Sequence, residues 1–314
     1  MEEYPLPRVI IVEGSDGSGK TTLAGSLSVR LGYGYVHMST PDDPKRPFDY
    51  WWRRIYPELR KYPGLVLDRL HWSEKLYGEL FRGGSGLSEH DRWVLEGWLL
   101  GRGACVIRCQ PPLENVLASV SKDPNQLHHS QEMTRAVYAE YTKSWDTVLP
   151  VVTFDYTVDG PSTRLNPHLF LPRIPSLSLV YPGIGYAQPR AVLVGDRHNL
   201  CNLKKMICHD PLVFRSTSGD FLRRALQSVG LTLYDYYIIN GWTDSEVYLT
   251  PEPTDVKPLL GSTFIALGKQ GEAALTAGHL PSAGNVGHPQ WWRRFHHAEL
   301  EEYGRQICSL IPTT

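Results

Sequence analysis

The chain has 314 residues, long for one domain and comfortable for two. It is 41% hydrophobic and 21% charged, an ordinary balance for a globular protein, and each half can bury a core. A formal net charge of −1 excludes an overall basic field of the kind that marks many nucleic-acid binders, though not a local patch.

The opening MEEYPLPRVI has no basic, long-apolar leader, and no run of about 18 apolar residues occurs, so a cytosolic protein without membrane spans is expected. Cys105, Cys109, Cys201, Cys208 and Cys308 form no CxxC pair. They are expected to be reduced core thiols, with no structural metal.

Residues 8–155 alternate apolar runs with amphipathic stretches. Runs at 8–13, 33–38, 64–68, 104–109 and 151–156 read as buried strands, with helices over 20–31, 89–101 and 131–148. Strands alternating with helices predict a parallel sheet in an α/β fold. Residues 156–189 then carry Pro161, Pro167, Pro172, Pro175, Pro182 and Pro189, the composition of a linker or wrapping segment. A second α/β series follows, with strands at 191–196, 236–241 and 263–268 and helices near 218–229 and 296–310. WWRR occurs at 51–54 and 291–294, but the flanks differ, so there is no internal repeat.

The strand at 8–13 runs into Gly14, Ser15, Asp16, Gly17, Ser18, Gly19, Lys20, Thr21 and Thr22. This fits G-x-x-x-x-G-K-[ST] between a strand and a helix, where glycines turn backbone N–H groups onto phosphate oxygens. Lys20 then reaches the outer phosphates and the Thr21 hydroxyl suits Mg²⁺, so ATP and Mg²⁺ are the expected cofactors.

The segment VEGSDGSGKTT resembles the loop of thymidylate kinases. VLDRLHWSEKLYG (66–78) is similar to their Asp-Arg motif, through Asp68, Arg69, Ser73 and Tyr77, and VIRCQPPLENV (106–116) extends the resemblance over about 8–150. It implies that Lys20, Asp68 and Arg69 are catalytic. Asp68 would organise Mg²⁺ together with Thr21, or accept a proton from an acceptor hydroxyl. Ser73, Tyr77 and Arg135 would lie on the acceptor side. So would Phe48, Tyr50, Trp51 and Trp52, which could stack on a pyrimidine or pack in the core, with Arg53 or Arg54 on phosphate. The lid, expected at 119–131, contains Lys122 but no arginine.

Downstream, VLVGD (192–196), SGDFLRRALQSVGL (218–231), YYIIN (236–240), FIALGKQGEAAL (264–275) and GHPQWWRRF (287–295) resemble, in order and spacing, divergent uracil-DNA glycosylases. The resemblance implies base-contacting roles for Asp196, Asn240 and His288, while GDRHN and HPQWW depart from the glycosylase pattern. An ordinary α/β domain in which these residues cap and turn is the alternative. The implied organisation is a thymidylate-kinase-like P-loop domain over 1–155, a joint over 156–189 and a glycosylase-like domain over 190–314.

Three functions follow from the two resemblances. The first is ATP-dependent phosphorylation of the hydroxymethyl group of 5-hydroxymethyluracil in DNA, as in a phage kinase branch that modifies thymidine in viral DNA, working in the host cytoplasm. The second is a thymidylate-type kinase acting on a free pyrimidine nucleotide, a reading that Asp16 and the neutral charge favour. The third is a base-sensing or repair module gated by nucleotide.

Overall fold

The run Val9–Gly14 is buried at every position, and such continuous apolar runs suit a strand covered on both faces. In a computed structural model of the chain, which describes residues 5–39, 41, 47–122, 130–143, 145–177, 183–195, 214–242 and 259–312, this run is the central strand β1. The chain divides into two units, Met1–Arg92 with Gly103–Ile174 and Trp93–Arg102 with Pro175–Thr314.

In the first unit β1 is joined by β2 (Gly34–His37), β3 (Leu65–Asp68), β4 (Ala104–Cys109) and β5 (Val151–Phe154). All pairings are parallel, in the order β2-β3-β1-β4-β5. The connection after β1 leads toward β2 while that after β4 leads away to β5. The sheet therefore has its topological switch point between β1 and β4, where ligand crevices form at carboxyl ends of strands.

Helix α1 (Lys20–Leu31) lays Leu23, Ala24 and Leu27 on Ile10, Val12, Val66 and Ile107. Full burial of each leucine, isoleucine or valine here is worth about 1.5–3 kcal/mol. Leu165, Leu171 and Ile174 complete the same core, so the front of the proline-rich stretch wraps the first unit. Cys105 and Cys109 lie in this core, where burial pushes both thiols up.

The first unit also holds α2 (Pro47–Leu59), α3 (His71–Phe81), α5 (Leu113–Val120), α6 (Gln131–Thr142) and α7 (Pro167–Phe170). The helix read over 131–148 stops at Thr142: Lys143 is extended and its amide closes on the Glu140 carbonyl. Trp145 beyond it packs on Trp72 and Tyr141.

The second unit takes most of α4 (Glu89–Gly101), whose Trp93 Nε1 donates to the Tyr236 hydroxyl at 3.1 Å. Its sheet comprises β6 (Ile184–Gly185), β7 (Ala191–Gly195), β8 (Tyr236–Asn240), β9 (Thr263–Ala266) and β10 (Gly284–Asn285). The order is β10-β9-β7-β8-β6, parallel except for β6 against β8. Helices α8 (Thr217–Ser228), α9 (Lys269–Ala277), α10 (Pro289–Phe295) and α11 (Leu300–Leu310) complete it. The helix read over 296–310 thus begins at Leu300, and the second WWRR forms a short helix of its own. Cys308 is exposed on α11 rather than buried in a core, and Cys201 and Cys208 lie outside the described residues. Among the described residues no helix is long and apolar enough to cross a membrane.

Candidate active site

The loop from Gly14 to Thr21 leaves β1 at the switch point. Gly17 has φ +78, and a Cβ there would lie 2.7 Å from the Val116 carbonyl oxygen; glycine alone takes this backbone without strain. Gly19 has φ +82 and starts α1 without a side-chain cap, leaving the first-turn N–H groups to a ligand. The Ser15 and Ser18 hydroxyls are buried and have no hydrogen-bond partner.

Lys20 is buried and folds over the loop, donating to the Ser15 carbonyl at 3.1 Å and to Asp16 Oδ1 at 3.0 Å. Burial, and then the Arg69 charge, pull its pKa below the ordinary lysine value against the opposing pull of Asp16. Thr22 is exposed on the first turn.

Asp68 ends β3 with no solvent exposure. Its Oδ2 accepts from Thr21 Oγ1 at 2.7 Å and from the Tyr35 hydroxyl at 2.9 Å, and lies 3.0 Å from His37 Nδ1. Its Oδ1 is buried without a partner. A buried carboxylate oxygen left unmet beside a threonine hydroxyl fits a divalent cation. Thr21 and Asp68 are the residues that would hold Mg²⁺. Among the described residues no cluster of three or more His, Cys, Asp or Glu suits a metal ion.

Arg69 follows in the left-handed region, φ +72, a strained backbone for a non-glycine residue. The bend is held by its amide on the Val12 carbonyl at 2.9 Å. The guanidinium pairs with Asp16 and lies 5.2 Å from the centre of the Tyr77 ring, while Tyr77 donates to Asp16 Oδ2 at 3.1 Å. Burial works against the Arg69 charge, but Tyr77 and Asp16 outweigh it and raise the pKa further. Burial first, then Asp16, push Tyr77 up to about 12, so it remains a donor at neutral pH.

These groups border a cavity of about 390 Å³. Its lining includes the expected Asp16, Trp51, Arg69, Ser73 and Tyr77 and, among residues that sequence reasoning missed, His37, Met38, Leu70, Glu74 and Arg82. Arg82 pairs with Glu74 at 2.7 Å and also donates to the Glu74 carbonyl at 3.2 Å. For Glu74 helical spacing was the available signal, since Ser73, Glu74 and Tyr77 share one face of α3.

Ser73 meets the cavity, but its hydroxyl is spent on Glu13 Oε2 at 2.5 Å, with Tyr141 at 2.9 Å. Glu13, fully buried at the end of β1, also accepts from the Leu70 amide at 2.8 Å, the Ser73 amide at 3.3 Å and the Tyr141 hydroxyl at 3.1 Å. It caps α3 from another strand, a role that no local sequence pattern announces.

Arg53 and Arg135 are exposed and outside the described lining of the cavity. On α2 the buried face carries Trp51, Trp52 and Ile55, and Arg53 falls about 200° round the helix from Trp51. Phe48 and Trp52 are buried, whereas Tyr50 bonds Ser39 and Arg54. Lys122 is exposed, and lid residues 123–129 lie outside the described residues.

In the second unit Asn240 ends β8 opposite Gly195. His288 caps α10, its Nδ1 accepting from the Gln290 amide at 3.2 Å. Asp196 lies outside the described residues. Trp292 is buried against Tyr303, with Trp291 half exposed beside it.

No protein-family model matches the sequence, and no curated protein matches it. Among solved structures the chain is similar to the YorR protein of Bacillus subtilis, solved in complex with phosphorylated GDP: 19% identity, 51% of this chain and 89% of that one, TM-score 0.38. It is also similar to a deoxyadenosine kinase of M. mycoides with bound dATP (16%, 49% and 94%, 0.35) and a gluconokinase of Sinorhizobium meliloti (14%, 52% and 87%, 0.31).

Proposed function

We propose that the first unit is an ATP-dependent phosphotransferase whose acceptor occupies the cavity between β2, β3 and α3. The observation that carries this reading is the hydrogen bond from Thr21 to a fully buried Asp68 whose second oxygen is unmet. It joins a phosphate-binding loop to a carboxylate at the neighbouring strand end. The loop N–H groups and Lys20 hold the donor phosphates. Thr21 and Asp68 would hold Mg²⁺, which would supply charge neutralisation on those phosphates.

The finer reading is transfer to the hydroxymethyl group of 5-hydroxymethyluracil in DNA. An alcohol must lose a proton during transfer. Asp68 is closed off from solvent and its Oδ2 is already taken by Thr21, Tyr35 and His37, so it is poorly disposed to meet the acceptor itself. His37 lines the cavity and is oriented by Asp68, which puts it in the better position to receive that proton. The second unit supports this reading only through the glycosylase resemblance at Asn240 and His288, and taking a base out of the stack costs a few kcal/mol. The second reading, a kinase of free pyrimidine nucleotides, draws support from the cavity volume, which suits one small ligand.

The test supplies γ-labelled ATP with duplex DNA carrying internal 5-hydroxymethyluracil, and in parallel with dTMP and 5-hydroxymethyl-dUMP. Phosphatase-resistant label recovered on the DNA base is expected. Label only on free nucleotides would select the second reading, and no label anywhere, with Lys20→Ala identical to the native chain, would sink the phosphotransferase.

A further inference from the structure

We infer that Glu74 is a specificity residue that keeps the acceptor cavity closed to monophosphates by holding Arg82, so that the portion of the acceptor entering it is uncharged. The inference rests on the phosphotransferase reading and names the acceptor class it leaves open.

Both arginines among the described lining residues are already committed. Arg82 is paired with Glu74, whose side chain is 5% exposed, and Arg69 with Asp16, whose side chain is 16% exposed. All four line one cavity, so its cations and carboxylates cancel there. A phosphate dianion entering the cavity would meet both carboxylates as well as both guanidiniums. Asp16 keeps Lys20 and Tyr77 if Arg69 turns away, but among the described residues Glu74 has no second cation. A phosphate that draws Arg82 onto itself leaves that buried carboxylate without its partner, and an uncompensated buried charge is strongly unfavourable.

The Arg82–Glu74 tie is also doubled, since the same nitrogen donates to the Glu74 main-chain carbonyl. Side chain and backbone of one residue thus fix the guanidinium on α3. An uncharged hydroxyl-bearing ring makes no such demand: it can rest on Trp51 and Tyr77 and hydrogen-bond to groups that stay paired.

The probes are 5-hydroxymethyl-2′-deoxyuridine and its 5′-monophosphate, titrated calorimetrically into the full chain without ATP. The native protein is expected to bind the nucleoside more tightly. Glu74→Gln releases Arg82 and should move the ratio of the two affinities toward the monophosphate by on the order of tenfold, the scale of one solvent-screened contact between unit charges about 4 Å apart. Arg82→Gln leaves Glu74 unpaired and should move the ratio the other way. A general structural defect would weaken both ligands together and would not split them by charge in opposite directions.

Tighter native binding of the monophosphate overturns the inference, as does an unchanged ratio in both variants. If Glu74→Gln fails to fold, the sign of the Arg82→Gln shift decides alone. Absence of label transfer from ATP to either ligand counts against the phosphotransferase and leaves the binding ratio to be judged separately.

Discussion

The two parallel sheets end in different chemistry. At the carboxyl edge of the first stand Glu13, Asp16, Lys20, Asp68 and Arg69, charged groups that are buried or nearly so, and three polar atoms there, on Ser15, Ser18 and Asp68, lack any partner. Among the described residues at the edge of the second, Asn285 and His288 serve the backbone. Asn285 accepts from the Gly268 amide at 3.0 Å, and His288 caps a helix. Backbones approach so closely that a Cβ on Gly271 would lie 2.1 Å from the Val194 carbonyl oxygen. Buried ionisable groups are costly, and folds retain them where chemistry uses them.

The strongest way to break this contrast is Lys20→Ala. Transfer from ATP is expected to fall by on the order of 10²–10³ or more. Thermal stability should hold or rise, because a cation whose pKa is lowered by burial is one the fold carries at a cost. Retained transfer, or a collapse in melting temperature, would make Lys20 a structural residue like those of the second edge.

Within the first edge the two fully buried carboxylates should separate. Glu13→Ala strips four donors of their acceptor and is expected to cost about 3–5 kcal/mol in urea unfolding, the scale for breaking a buried charged network. Asp68→Asn keeps an oxygen for Thr21, Tyr35 and His37 and offers an amide where Oδ1 has no partner. Its unfolding free energy should therefore change by less than about 1 kcal/mol while transfer falls on the order of 10²-fold. Equal stability losses in the two variants would place Asp68 with Glu13 in the scaffold.

How far such roles can be read from sequence depends on whether the signal is local. The loop Gly14–Thr21 and the strands β1, β3 and β4 were legible because spacing and apolar runs are properties of adjacent residues. Asp68 and Arg69 were singled out through family likeness alone, and the bend between them was not foreseen, since nothing local requires a left-handed arginine. The Glu74–Arg82 pair was within reach of helical periodicity once α3 was recognised, but residues 71–81 carry too many polar side chains to declare a helix beforehand. Glu13 and His37 were out of reach. Each acts on a strand or helix that only the parallel register brings alongside, Glu13 across to α3 and His37 opposite Asp68. The same reason hid the face of Arg53 and Arg54 on α2, which is decided by what the tryptophans pack against.

The smallest expected effect tests whether the second edge takes part in chemistry at all. His288→Ala removes the acceptor for the Gln290 amide and the cap of a seven-residue helix, worth about 1 kcal/mol of unfolding free energy. If that edge is scaffold alone, label transfer to a free hydroxymethylated nucleoside and to the same base inside a DNA duplex should fall together, and by little. If it contacts the base taken from the duplex, KM for the DNA acceptor should rise several-fold more than KM for the nucleoside, because the nucleoside needs no extrusion. A stability loss acts on both acceptors through the folded fraction, so only a contact with DNA can separate them.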